Sequence, residues 1–437
     1  MKTYPRCHIS EAKSPASLPL RILLLESGTG PGGSVNFIRD FVIHLDQSRA
    51  HVIAGLYFLN PSKTLVELQR LGFQVVFFHQ PRPTAAKTSV GISTLFDTSL
   101  KRLRKLRTAA RILSRFFRVQ LPLTWKVWRF IKREAIDVVV LNQDVHFHVP
   151  GVLAARLAGR PCICRKAGGI GEARLLKVFL NPCVDLFVSI SKATETDQRN
   201  TRGTRKLVNI YEGLDLERFR SLPAKDAMRD SLGIPAGKKV VAAITRITAG
   251  KGLPEFIHMA TTVYRRNTNV VFLIVGDEGP AGGTLTCELR DLVHSLDLDD
   301  CVIFTGWRDD IPAVMKCVDI FVHCPTTFIE GLARTCLEAM AAGIPAVVSG
   351  NGGMPDAVVD GVTGFVVPPG DVGDMAESVL AFLENESRCR EFGERARQRV
   401  EQFFDADENT RKLQEQILEC ARPVKVLELR GAKVRAS

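Results

Sequence analysis

Two doubly wound α/β domains are what this 437-residue chain predicts, and three observations carry that expectation. Short apolar runs, many of them β-branched, recur without polar alternation, as in parallel strands covered on both faces by helices. Amphipathic stretches separate those runs and give a βαβ rhythm. The rhythm passes through two halves, and the length exceeds what one ordinary core holds.

Taken in order, residues 1–19 lack an apolar core of signal-peptide length and read as a flexible leader. "RILLLE", "HVIAGLYF", "QVVFF", "DVVVLN", "PCICR" and "DLFVSIS" are the predicted strands of the first half, which spans 20–208. "LVNIYEGLDLERF" marks the boundary. "KVVAAI", "VVFLIVG", "VIFTG", "DIFVHC" and "PAVVSG" supply the strands of a second domain over 209–395. A helix over 396–422 is expected to return toward the first domain, and 423–437 reads as a loose basic tail.

Composition narrows the function classes. The net charge of +12 draws anions to the surface, whether nucleotides, nucleic acid or acidic lipid heads. Eleven cysteines contain no C-x-x-C pair, and no histidine spacing completes a zinc site, so a reduced, cytoplasmic protein is expected. No run reaches the ~18–20 apolar residues of a membrane span, which leaves only peripheral contact.

One segment breaks the rhythm. Lys101 to Arg133 holds twelve Lys or Arg and no acid. Leu103, Leu106, Ala110, Leu113 and Phe117 share one helical face, and Lys101, Arg104, Lys105, Arg111 and Arg115 the other. A helix lying on an anionic membrane through 100–133 has this pattern, and so has a solvated basic face over a core stripe. A nucleic-acid platform would interleave aromatics, and none occurs before Phe116 and Phe117.

The anion-binding candidates lie on turns after strands. "ESGTGPGGSV" places glycines at 28, 30, 32 and 33 ahead of a helix, which suits close approach to a phosphate and equally a plain tight turn. A dinucleotide site would want an acid at the end of the next strand, and that strand runs out at Asn60. "AITRITAGKG" delivers Arg246 and Lys251 to one turn, where a planar fork and a point charge can converge on a diphosphate. "FIEGLARTCLEAMAAGIP" predicts a helix from Glu330 to Gly343 with free N–H groups up to Thr335 and Glu338 two turns in. A carboxylate at Glu338 suits vicinal hydroxyls, and one at Glu330 either holds sugar hydroxyls or complements the helix dipole.

Together these motifs resemble the family 4 retaining glycosyltransferases, whose GT-B fold sets two Rossmann-like domains across a cleft. The series runs in order from the Gly32-Gly33 turn through "SISKATETD", "IYEGLDLERF", "TRITAGKG", "FLIVGDEGP" and "VIFTGWRDDIP" to the E-x₇-E pair Glu330/Glu338 and "DGVTGFVVPPGD". The resemblance implies that Arg246 and Lys251 bind the donor diphosphate and stabilise its leaving charge. Gly33 and the backbone near Arg334 and Thr335 complete that cradle. Glu338 would hold the ribose, Glu330 with the N–H groups of Gly331 and Leu332 the donor sugar, and the Trp307-Arg308 backbone the base. No metal and no resident cofactor are implied, and the Asp297/Asp299 and Asp405/Asp407 pairs read as chance.

The chain departs from the family pattern at Asp356, where Glu is usual, and at Glu212, where Asn is usual. The first domain often offers a histidine beside the anomeric carbon, but here that strand ends in Asn142-Gln143. His146, His148 and Lys166 are the acceptor-side candidates. The expected function is retaining transfer of a sugar from a UDP- or GDP-linked donor to a lipid-linked or envelope saccharide, at the inner face of the membrane. A silent sugar-nucleotide-binding partner subunit is the rival.

Overall fold

The computed structural model describes residues 19–27, 33–58, 63–79, 114, 116–220, 225–279 and 283–421. Among these residues thirteen strands form two all-parallel sheets. The first contains β1 (Leu20–Glu26), β2 (Ala50–Phe58), β3 (Gln74–His79), β4 (Val138–Leu141), β5 (Cys162–Lys166), β6 (Leu186–Ser189) and β7 (Leu207–Asn209), in the order 3-2-1-4-5-6-7. The second contains β8 (Lys239–Ile244), β9 (Val270–Val275), β10 (Val302–Gly306), β11 (Ile320–His323), β12 (Ala346–Ser349) and β13 (Gly364–Val367), in the order 10-9-8-11-12-13.

Strands β1, β4, β5, β6, β9, β11 and β12 are buried along all or nearly all of their length, which is why their sequences run apolar without alternation. Each sheet has an apolar cluster on either face. On the first sheet Leu23, Leu25 and Val139 point into one cluster, while Ile22, Leu24 and Val138 point into the other. The second sheet divides Val240 and Ala242 from Val241 and Ala243 in the same way. This is the two-domain GT-B architecture.

β7 and β13 went unread in the sequence. β7 has only three residues, all half-buried, and β13 sits inside a stretch taken as a motif. The C-terminal stretch is two helices rather than one. Helix Glu386–Phe403 stays with the second domain, where Ala396 and Val400 enter its core. Helix Ala406–Ala421 crosses to the first, burying Leu413 and Ile417 there, and Gln414 Oε1 accepts from the Asp46 N–H at 3.1 Å. The crossing is stitched by Leu214, whose N–H donates to Phe404 O at 2.7 Å. Asp405 caps the second helix through Glu408 N–H at 3.0 Å, and Asp407 pairs with His44 at 2.6 Å, so both acids of that Asp-x-Asp pair are structural.

The strand order reverses between β1 and β4 and again between β8 and β11. In open parallel sheets the crevice at such a switch point, beyond the carboxyl ends of the strands, is where ligands bind. Glu26, Asn142, Lys251 and His323 all lie at or just past those ends.

Candidate active site

Lys251 follows β8 on a turn, buried to 6 % exposure. Its ammonium is ion-paired with Glu330 and sits 4.0 Å from the centroid of the Phe328 ring. His323, the last residue of β11, brings Nε2 to 3.4 Å from the same Glu330 oxygen. Burial alone pushes the Glu330 carboxyl up; the His323 contact and the Lys251 charge outweigh it and hold the pKa at about 2. Glu330 is therefore a carboxylate at every physiological pH, still partly open at 15 % side-chain exposure.

The helix starts later than expected. It spans Arg334–Ala341, so Glu330 stands on the loop before it rather than in its first turn. Ala333 occupies the N-cap position and makes no side-chain cap, which leaves the first-turn N–H groups at Arg334 and Thr335 without an intrahelical acceptor. Gly33, at the start of the first domain's helix Gly33–Ile43, faces this end: a Cβ there would stand 3.7 Å from Arg334 Cβ. The two predicted halves of an anion cradle thus meet across the domains. Gly32 lies outside the described residues.

Two glycines let the domains close on Glu330. Gly331 presses on the first domain so tightly that a Cβ would collide with the Ala167 carbonyl. Gly353 packs under the same loop and donates its N–H to Glu330 O at 3.0 Å; a Cβ at Gly353 would collide with the Gly331 carbonyl and one at the adjacent Gly352 with the Glu330 carbonyl, so both positions need glycine. Beside this seam opens a hollow of about 500 Å³, lined by Ile170, Lys192, Thr196 and Asp197 of the first domain and Gly352 and Asp356 of the second.

The side chain of Arg334 does something the sequence did not suggest. Its guanidinium is ion-paired with Asp40, donates from Nη1 to Glu212 Oε1 at 3.1 Å, and from Nε to Glu338 Oε1 at 3.3 Å. Glu212 also accepts from Arg165 Nη2 at 2.7 Å. The chain continues from Arg165 Nη1 to Asn142 Oδ1 at 3.1 Å, and from Asn142 Nδ2 to Glu26 Oε2 at 2.7 Å. Burial pushes the Asp40 carboxyl up, but Arg334 and Arg39 overcome it and hold it below the usual range. Glu338 is raised, since burial outweighs Arg334 and Arg218. Glu338, expected to offer its carboxylate to a ribose, is 4 % exposed and engaged by Arg334. Glu212, a departure from the family pattern, lies where two buried arginines require an anion; an Asn would leave them undercompensated.

Other candidates sort clearly. Arg246 is exposed at the end of β8 and makes no side-chain ion pair or hydrogen bond to another described residue. Arg308 forks onto Asp310 at 2.8 and 2.5 Å, and that pairing raises its pKa. Leu332 is buried and Thr335 half-buried at the helix mouth.

On the first domain the expectations need correction. His148 is fully buried against Tyr57, with ring centroids 5.4 Å apart, and burial drives its pKa down to about 3. It is a neutral core residue, out of reach of an acceptor. Lys166 is also fully buried, 2.7 Å from Asp144 and 2.6 Å from Asp197, and Lys177 shares Asp144 at 2.7 Å. Burial lowers the Lys166 pKa and the two carboxylates more than restore it, so it stays a locked cation. What its loop contributes to the seam is backbone, through Ala167. His146 remains, 11 % exposed, with Nε2 3.2 Å from Glu172 Oε2. His323 and Phe328 were missed; a histidine ending an otherwise apolar strand at the switch point was the available signal.

Comparison with known proteins agrees with this geometry. Residues 63–218 match the model of Glycosyltransferase Family 4, and residues 224–399 that of Glycosyl transferases group 1. A GDP-mannose-dependent alpha-(1-6)-phosphatidylinositol monomannoside mannosyltransferase of Mycobacterium tuberculosis is 30% identical over 261 residues, 56% of this chain and 66% of that protein. A UDP-Gal:alpha-D-GlcNAc-diphosphoundecaprenol alpha-1,3-galactosyltransferase of Escherichia coli is 25% identical over 276 residues, 59% of this chain and 69% of that one. The match thus spans about two thirds of the length of these relatives. Among solved structures, Anabaena Alr3699/HepE in complex with UDP and glucose superposes with a TM-score of 0.74 at 23% identity, covering 91% of this chain and 99% of that one. Two consecutive family matches over two facing parallel-sheet domains leave one conclusion: the chain belongs to the family 4, group 1 glycosyltransferases of GT-B fold.

Proposed function

We propose that the protein is a retaining glycosyltransferase that moves a sugar from a UDP- or GDP-linked donor to a saccharide acceptor carried on a lipid or envelope polymer. The Lys251–Glu330 pair carries this reading: a permanently ionised carboxylate and a buried ammonium stand together on the second domain, at the seam where Gly331 meets Ala167. The donor diphosphate would lie against the uncapped mouth of helix Arg334–Ala341 and Gly33, where free N–H groups and the helix dipole favour an anion. Lys251, now neutralised by Glu330, would then divide its charge between that carboxylate and the diphosphate, with Arg246 reaching in from the strand end. Glu330 accepts hydrogen bonds from donor-sugar hydroxyls and orients the anomeric carbon.

Transfer would follow the leaving-group side. The bond from the anomeric carbon to the diphosphate oxygen breaks, the acceptor hydroxyl oxygen bonds to that carbon from the same face, and its proton passes to the departing phosphate. Lys251 and Arg246 stabilise charge where it develops, and no metal or resident cofactor enters the scheme. The 500 Å³ hollow offers hydroxyl partners from both domains for the acceptor. Relatives named for phosphatidylinositol monomannoside and diphosphoundecaprenol acceptors support the lipid-linked class. On this reading the reaction takes place in the cytoplasm, at the inner face of the membrane.

The test is a panel of nucleotide sugars with purified protein, first by thermal shift and then by release of nucleoside diphosphate. A donor that raises the melting point and is turned over, giving an α-configured product from an α-linked donor, supports the reading. An inverted product would end the retaining assignment, and binding without any turnover would make the chain a silent binding subunit.

A further inference from the structure

Helix Leu121–Arg133 and the turn before it, Phe116–Gln120, carry three distinct faces. Leu123, Val127, Phe130 and Ile131 are buried in the first domain's core. Phe117, Leu121 and Trp125 recur every four residues on another face, and they are 56, 45 and 56 % exposed. Trp128 stacks on Trp125 with ring centroids 4.7 Å apart, so the exposed ring is braced rather than loose. The third face bears Arg118, Arg129 and Arg133, all exposed. No acid occurs within 116–133, and Arg133 touches Glu134 at 2.9 Å. The core stripe is filled by Leu123, Val127, Phe130 and Ile131, so the exposed apolar row is not needed to complete it.

A solvated helix would place charge in that row, and a second copy of the same face would set arginines against arginines. Tryptophan and phenylalanine next to an acid-free arginine row match instead the boundary of a bilayer, where amphipathic rings sit at headgroup depth and cations meet anionic lipid. Among the described residues no helix is long and apolar enough to cross a membrane, so contact there would be in the plane of the surface. We infer that the face formed by Phe117, Leu121, Trp125, Arg118 and Arg129 docks the first domain on an anionic lipid surface. This rests on 116–133 alone; the first part of the acid-free run, 101–113, lies outside the described residues. It is independent of sugar transfer, because the docking requires neither donor nor acceptor.

The experiment uses the full chain with Trp307→Phe, which leaves Trp125 and Trp128 as the only tryptophans. Vesicles of phosphatidylcholine with and without phosphatidylglycerol are added in the absence of any donor or acceptor. Flotation with the anionic vesicles, a blue shift of tryptophan emission and quenching by brominated lipid are expected. Binding should weaken with added salt. Arg118→Glu/Arg129→Glu should lower partitioning about tenfold or more. Trp125→Ser should abolish the emission shift, and both variants should keep the parent melting point because the altered side chains are exposed. Absence of flotation, or flotation unchanged in both folded variants, would overturn the inference. So would a concentration-dependent dimer in sedimentation that Trp125→Ser dissolves, since the row would then belong to a second copy of the chain.

Discussion

The switch points of the two sheets treat charge in opposite ways. Beyond β8 and β11 the second domain offers Lys251 and Glu330, paired but reachable, with Glu330 at 15 % side-chain exposure. Beyond β1, β4 and β5 the first domain also gathers charged and polar groups, yet Glu26, Asn142, Arg165 and Lys166 are at most 2 % exposed and each is committed to a partner. The same architecture thus yields an open pair on one side and a closed network on the other. Ions that must exchange one partner for a substrate need access to it, whereas ions sealed from water are held because freeing them would cost several kcal/mol. The Lys251–Glu330 pair is accordingly suited to charge chemistry and the sealed network, which reaches through Arg334 into the second domain, to holding shape.

That contrast can be broken from either side. The largest effect is expected from Arg334→Met, which removes the cation shared by Asp40, Glu212 and Glu338 across both domains. Asp40 would keep only Arg39, Glu212 only Arg165, and Glu338 would lose its hydrogen-bonded cation, costing about 3–5 kcal/mol in urea unfolding, and adding Asp40→Asn should recover part of the loss. A stability unchanged by Arg334→Met would show that the network is not closed at all.

Next come Lys251→Ala and Glu330→Gln, on the open side. Each should reduce turnover of an identified donor by about 10²–10³-fold, some 3–4 kcal/mol of transition-state stabilisation, while the melting point moves far less than in Arg334→Met. Equal thermal losses in the two sets would erase the distinction between the domains.

His148 sharpens the comparison through pH. Its folded pKa is about 3 against an ordinary 6.5, so between those values the unfolded chain binds a proton that the folded one refuses. Stability from this group is complete above pH 6.5 and falls as the pH drops toward 3, by up to about 1.4 kcal/mol per unit. His148→Leu should flatten the stability curve over that window; an unaltered slope would mean the ring titrates normally and is reachable. Glu330 runs on the acid side of the same logic, because a carboxyl depressed from 4.5 to about 2 contributes stability above pH 4.5 that is lost as the pH approaches 2.

Arg246→Ala is expected to be mildest. The side chain is exposed, so folding should change by about 0.5 kcal/mol or less, and kcat/KM should fall roughly tenfold, or 1.4 kcal/mol. A loss equal to that of Lys251→Ala would show the two cations sharing the developing charge equally, and no loss at all would remove Arg246 from the scheme.

Much of the fold was readable because it depends on local patterns. Eleven of the thirteen described strands announce themselves as apolar runs, which both-sided burial requires. The two missed strands are short and lie in the boundary stretch and in a Pro-Gly-flanked motif. Part of the site was readable for a similar reason: glycines at 331, 352 and 353 and acids at 330 and 338 sit at fixed offsets that backbone packing imposes. The helix start was misplaced by four residues, since nothing in "EGLA" distinguishes a loop from a first turn.

Pairing lay beyond the sequence. Lys166 and His148 present the same residue types whether they face a cleft or a core, and only the neighbours decide: two carboxylates close on one, and Tyr57 with the surrounding core seals the other. Glu338 and Glu330 belong to one motif, yet Arg334 claims the first and Lys251 the second. Two parallel sheets and their glycine-lined turns were legible in periodicity and spacing, which are properties of the chain, and the family in the ordered motifs it resembles. Tertiary structure decided which charges are free to act, because the energy of an ion depends on its distance from other ions and from water, and those distances are set between segments tens to hundreds of residues apart.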